Sequence, residues 1–142
     1  LIKTNYAPSN QAPYEYLEAN MQAGDVILVS NYLQDPNSFI AVSRYMDHRI
    51  IYWNECAWMD ESVKAYRAYG TDMTVVYNLN DVPAFSGRVL VIYADDDDRQ
   101  MPINHVYNAV ISHFHGTGEG THYFQTDYKN IEYTIGLVSV GQ

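Results

Sequence analysis

The sequence predicts one α/β domain with three layers, in which a mostly parallel sheet lies between helices and ends in a C-terminal antiparallel hairpin. Short apolar runs alternate with helical patterns through residue 115, which is typical of parallel strands joined by right-handed crossovers. The last part of the chain changes to β-branched and alternating segments, which favour a hairpin. The chain has 142 residues, of which 47% are hydrophobic and 18% charged. This composition indicates a single globular domain.

The chain opens with a polar segment. Residues 1–11 contain Pro8 and show no hydrophobic period, which indicates a linker. The first residue is Leu1 rather than methionine, so we expect this linker to come from a preceding segment that the sequence does not include. The single α/β domain is then predicted at residues 12–142.

Helices and strands alternate after the linker. The apolar period predicts a helix over residues 12–22, ended by Gly24, and residues 25–30 then form a first strand that is buried on both faces. Residues 122–128 and 131–140 form the predicted hairpin. Caps, prolines and apolar runs place the other helices near residues 35–47, 60–70 and 102–114, and the other parallel strands near residues 49–53, 73–77 and 88–94.

This order of elements predicts a Rossmann-like sheet with a ligand site at one edge. If the fourth strand returns beside the first, the strand order reverses between them, and ligands bind outside the carboxyl ends of the strands at that point. Asn31 and Tyr32 follow the first strand, and Asp95 and Asp97 follow the fourth. These four residues are therefore the candidates for binding a small ligand.

Four consecutive aspartates, residues 95–98, follow the fourth predicted strand. Carboxylate oxygens suit Mg²⁺, Mn²⁺ or Ca²⁺, so Asp95 and Asp97 are candidate metal ligands. The alternative, a solvated acidic turn whose charge Arg99 partly offsets, is the preferred one. A divalent metal is the one cofactor that the sequence suggests, and otherwise we expect none.

Histidines form a second candidate metal site near the glycine-rich residues 116–120. They could bind zinc together with a nearby carboxylate, but His113 and His115 would diverge by about 200° around a helix. Histidines at a helix end are also favoured by the helix dipole alone, and this alternative is the preferred one. The glycine-rich segment follows a helix and precedes a strand, which is the reverse of a phosphate-binding loop. The histidines considered are His105, His113, His115 and His122.

The net charge and the numbers of cysteines and tyrosines limit the partners and the reactions that we expect. Eight Lys and Arg residues against seventeen Asp and Glu residues give a net charge of −9, which argues against nucleic acid and against an anionic membrane surface. The single cysteine, Cys56, lies between Trp53 and Trp58 and has no internal disulfide partner. It is interpreted as a buried apolar residue. Fourteen tyrosines suit a carbohydrate-contacting surface and equally suit half-buried sheet positions.

Residues 12–20 (APYEYLEAN) and 23–29 (AGDVILV) form a helix, a Gly-Asp turn and a buried strand in the predicted fold. This element resembles the soluble C-terminal domain of polytopic membrane glycosyltransferases of the protein mannosyltransferase and arabinose transferase type. Residues 88–93 (RVLVIY) are similar to the family's late strand, and residues 124–138 are similar to its closing hairpin. The resemblance covers most of residues 12–140.

The resemblance implies a non-catalytic accessory domain on the extracytoplasmic face of the membrane. Its parent enzyme would transfer a sugar from a polyprenyl-phosphate donor, with the catalytic groups in the membrane-embedded remainder of the same chain and a glycan or polypeptide as acceptor. No catalytic residue is assigned to this chain on that basis. The alternative is a metal-dependent nucleotide-sugar transferase, or another α/β domain that binds a phosphate-containing ligand, through residues 95–98. A receiver-like module ranks last because Ser30 and Asn31 stand where acidic residues are required.

Overall fold

The computed structural model describes residues 11–30, 49–53, 73–93, 104–125 and 132–140. The predicted helices near residues 35–47 and 60–70 lie outside these ranges. A short 3-10 helix, Leu79–Asp81, lies in the connection between the third and fourth strands. In chain order the other elements are α1 (Gln11–Asn20), β1 (Val26–Ser30), β2 (Arg49–Trp53), β3 (Met73–Val76), β4 (Val89–Tyr93), α2 (His105–Phe114), β5 (Thr117–Gln125) and β6 (Glu132–Ser139).

The six strands form one sheet in the order β3-β2-β1-β4-β6-β5. Strands β1, β2, β3 and β4 pair with one another in parallel, whereas β6 is antiparallel to both β4 and β5. This arrangement confirms the predicted mostly parallel sheet with its C-terminal antiparallel hairpin. Because β1 pairs with both β2 and β4, the strand order reverses at β1, where the sequence predicted it.

Helices on both faces complete the three predicted layers. Ile27 and Val29 of β1 pack in the same core cluster as Leu17 of α1. Leu28, between them in the sequence, packs in the opposite cluster with Val106 of α2. Strands β1 and β4 are buried along their whole length, which explains why their sequences are continuous apolar runs rather than alternating ones.

The hairpin differs from its prediction at one end. Strand β5 begins at Thr117 rather than at His122, so most of the glycine-rich segment at residues 116–120 belongs to the strand. Glycine is a poor strand former when nothing else determines the conformation. The reason that these glycines lie in a strand is a tertiary contact with α2.

Tyr107 of α2 packs directly against the hairpin backbone. A Cβ atom at Gly136 would lie 2.4 Å from Cδ1 of Tyr107, and one at Gly118 would lie 2.6 Å from its hydroxyl oxygen. The Tyr107 hydroxyl donates to the Leu137 carbonyl at 3.0 Å and accepts from the Gly120 amide at 3.3 Å. The β5 register shifts between Gly118 and Gly120. The glycines therefore make room for an aromatic ring whose hydroxyl bonds to the backbone at the irregular position.

The apolar face of helix α2 is the predicted one, but the first helical residue that the structure describes differs from the prediction. Its first helical residue is His105, preceded by Asn104 in the left-handed conformation with φ of 61°. Pro102, the predicted first-turn residue, lies outside the described ranges. Val106 and Val110 are buried against the sheet, which confirms the four-residue spacing predicted for this face.

Candidate functional site

The four predicted ligand-binding residues Asn31, Tyr32, Asp95 and Asp97 lie outside the described part of the chain, as does Cys56. The structure does place the strand ends that precede these four residues. Val29 of β1 and Ile92 of β4 are register partners in a parallel pair, so the last residues of the two strands, Ser30 and Tyr93, lie at the same edge of the sheet. The ligand site and the metal pair Asp95 and Asp97 remain predictions about that edge.

Neutral polar side chains end the strands at this edge. Ser30, Trp53 and Tyr93 are the last residues of β1, β2 and β4, and Thr134 of β6 pairs with Tyr93. All four are buried. We call these four residues the carboxyl-edge row. Trp53 and Tyr93 pack in the layer beneath α2, and none of the four side chains carries a charge.

Tyr93 ties the end of β4 to the start of α2. Its hydroxyl donates to Oδ1 of Asn104 at 2.7 Å, and its ring stacks on Tyr107 with a centroid separation of 6.1 Å and an angle of 11°. The Asn104 side chain makes no capping hydrogen bond to α2. It accepts a hydrogen bond from the sheet instead of capping the helix, which is the usual use of Asn at this position.

Trp53 carries a buried hydrogen-bond donor that lacks an acceptor in the described structure. The side chain is 5% exposed, and its indole Nε1 is buried without a hydrogen-bond partner in the described structure. From the sequence, Trp53 is noted only as a neighbour of Cys56. A tryptophan that ends an apolar strand at the predicted ligand edge was the signal that could have identified it.

The amino edge of the same sheet has the opposite chemistry, because it holds an ion pair. The Asp25 carboxylate accepts from the Arg88 amide and from Arg88 Nη2, each at 2.8 Å, and from the Gln22 amide at 2.8 Å. Arg88 Nη2 also donates to the Asn20 carbonyl. The Asp25 side chain is 1% exposed and that of Arg88 is 21% exposed. This network joins the turns that precede β1 and β4.

The pKa of Asp25 reflects two opposing effects. Burial alone would raise the pKa, because it removes water from the charged carboxylate. Hydrogen bonds from the Arg88 side chain and backbone and from the Gln22 backbone, together with the Arg88 charge, outweigh burial and hold the pKa below its ordinary value. The carboxylate is therefore ionised in the folded protein at neutral pH.

Two glycines allow the turns at the amino edge to touch. Gly24 has a φ of +87°, and the Gly87 amide donates to the Gly24 carbonyl at 3.0 Å. A Cβ atom at Gly87 would lie 2.4 Å from the Gly24 carbonyl carbon and 2.5 Å from the Asp25 nitrogen. We call Gly24, Asp25, Gly87 and Arg88 the amino-edge clamp. Its first two residues are the Gly-Asp element on which the sequence resemblance depends.

Three of the candidate histidines, His113, His115 and His122, lie in different surroundings. His113 packs edge-on against Phe114 at 4.7 Å, and His115 is the left-handed residue that ends α2. His122 lies on β5 beside Tyr16 and Phe124, with centroid separations of 5.0 and 4.6 Å. Within the described ranges, no group of three His, Cys, Asp or Glu side chains is arranged to hold a metal ion.

Both described α-helices are short. Each has ten residues, and no helix in the residues that the structure describes has the length and apolar character needed to cross a membrane.

Comparison with known protein families finds no matching family model, and comparison with curated proteins finds no match. Similar chain paths occur among solved structures. A Pyrococcus horikoshii protein described as a transferase has a TM-score of 0.47 at 10% identity, over 99% of this chain and 66% of that one. TYW2 of P. horikoshii, in complex with MeSAdo, has a TM-score of 0.45 at 10% identity, over 97% and 65%. This chain thus spans slightly less than two thirds of either protein.

An rRNA methylase from Streptococcus thermophilus has a TM-score of 0.44 at 8% identity, over 98% of this chain and 100% of that one. At such low identity and TM-score these similarities transfer no activity, substrate or site to this chain.

Proposed function

We propose that the chain is a non-catalytic accessory domain of a membrane glycosyltransferase that uses a polyprenyl-phosphate sugar donor. The observation that carries this proposal is the use of the Gly24-Asp25 element. Both residues belong to the amino-edge clamp, where they hold β1 against β4. The element that resembles the transferase family thus stabilises the fold, and no catalytic role is assigned to it.

The charge of the chain supports a position on the extracytoplasmic side, clear of the lipid surface. A net charge of −9 repels anionic headgroups. Under this proposal the partners of the domain are the membrane-embedded part of its own chain and a glycan or polypeptide acceptor.

The test uses the complete gene product that contains this sequence. We expect it to be extracted from membranes by detergent and to transfer sugar from a polyprenyl-phosphate donor. Asp25→Asn should lower the yield and the melting temperature of the enzyme but leave kcat per folded molecule unchanged. Asp81→Asn, at an exposed position, is the matched control and should change neither quantity.

Two results would contradict this proposal. One is a complete gene product that fractionates without membranes and shows no sugar transfer. The other is a folded Asp25→Asn enzyme whose kcat falls more than about tenfold, equivalent to about 1.4 kcal/mol in the barrier, because that loss would assign Asp25 to the chemistry.

A second candidate is a metal-dependent nucleotide-sugar transferase, or another domain that binds a phosphate-containing ligand, through residues 95–98. It is favoured by the pairing of β1 with β4, because the residues that follow these strands in the sequence start from the same edge of the sheet. Asp95 and Asp97 would then be the metal ligands.

Replacing Asp95 and Asp97 together by Asn distinguishes the candidates. Four adjacent carboxylates repel one another in an acidic chain, so under the accessory-domain proposal the melting temperature stays constant or rises slightly. Calorimetry with Mn²⁺ or Mg²⁺ and a nucleotide sugar should show no heat. A metal-induced rise in the melting temperature of the unmodified protein, lost in the double variant, would favour the second candidate.

A further inference from the structure

We draw no further inference here: the strongest candidate, the outer edge of the sheet along β5, where residues 117–123 are exposed, carries nothing, because nothing in the part of the chain that the structure describes shows what covers it.

Discussion

At its amino edge the sheet is closed by paired charges and touching glycines, whereas at its carboxyl edge it ends in neutral polar groups. The Asp25 carboxylate accepts three hydrogen bonds at 2.8 Å from the two turns that it joins. Trp53, at the other edge, has an indole N–H without an acceptor in the described structure. The difference indicates that an ion pair stabilises the amino edge, whereas buried neutral groups end the strands at the carboxyl edge.

Parallel strands make this division possible. All four parallel strands place their amino ends at one edge and their carboxyl ends at the other. A five-residue strand spans about 16 Å at about 3.3 Å per residue, so the two edges are far enough apart for substitutions to act independently. Substitutions at the amino edge should therefore change stability without changing the carboxyl-edge row.

The largest effect is expected from Gly87→Ala. The new Cβ atom would lie 2.4 Å from the Gly24 carbonyl carbon, and backbone atoms at this distance must move apart. We expect a loss of about 4 kcal/mol or more in the free energy of unfolding, measured by urea denaturation, or failure to fold. Gly120→Ala is the control, because its φ is +122° but nothing lies within 4 Å of a Cβ atom there. It should lose only about 1 to 2 kcal/mol from backbone strain.

A smaller but still large effect is expected from Asp25→Asn. The substitution leaves Arg88 without its anionic partner and replaces a buried carboxylate oxygen by an amide nitrogen that cannot accept. We expect a loss of about 3 kcal/mol, the low end for breaking a buried ion pair. Asp81→Asn should change the unfolding free energy by less than about 0.5 kcal/mol, and equal losses in the two variants would contradict a special role for Asp25.

The same carboxylate predicts a pH dependence. Its folded pKa is below its ordinary value, so the ionised form favours the folded state. This contribution is complete above the unfolded pKa of Asp, about 3.9, and is lost as the pH falls from there through the folded pKa. Stability measured between pH 7 and pH 3 should therefore fall at the acid end, and less steeply in Asp25→Asn. An unchanged slope in the variant would refute this assignment.

The smallest effect is expected at the carboxyl edge, from Tyr93→Phe. The hydroxyl donates to Asn104 at 2.7 Å, and its removal should reduce the unfolding free energy by about 1 kcal/mol. Asp81→Asn, at an exposed position, should have almost no effect. A loss at Tyr93 as large as that at Asp25 would mean that the two edges contribute equally to stability.

The fold was predictable because its strongest signals are local. Strands β1 and β4 are continuous apolar runs, and the residues that end them were identified within one position. The start of β5 was not predictable, because the glycines there are held by Tyr107 of α2, whose ring approaches Gly136 closely enough to exclude a Cβ atom. A contact between segments that are far apart in the sequence produces no hydrophobic periodicity that could predict it.

The two edges differ in how far sequence could predict them. Gly24 and Asp25 were visible as a turn before a strand, but the partner Arg88 is 63 positions away from Asp25, and no spacing rule connects them. At the carboxyl edge, strand order predicts where a ligand would bind. The unpaired indole N–H of Trp53 was not predictable, because it appears only when the burial and the surroundings of the side chain are known.

The most direct test of the division between the edges is a pair of double-mutant cycles measured by urea denaturation. The first combines Asp25→Asn with Arg88→Met, and the second combines Asp25→Asn with Tyr93→Phe. We predict a coupling free energy of about 2 kcal/mol in the first cycle, since the two residues form one ion pair, and additivity within about 0.5 kcal/mol in the second. No coupling between Asp25 and Arg88, or equal coupling of Asp25 to Tyr93 across the sheet, would contradict the account.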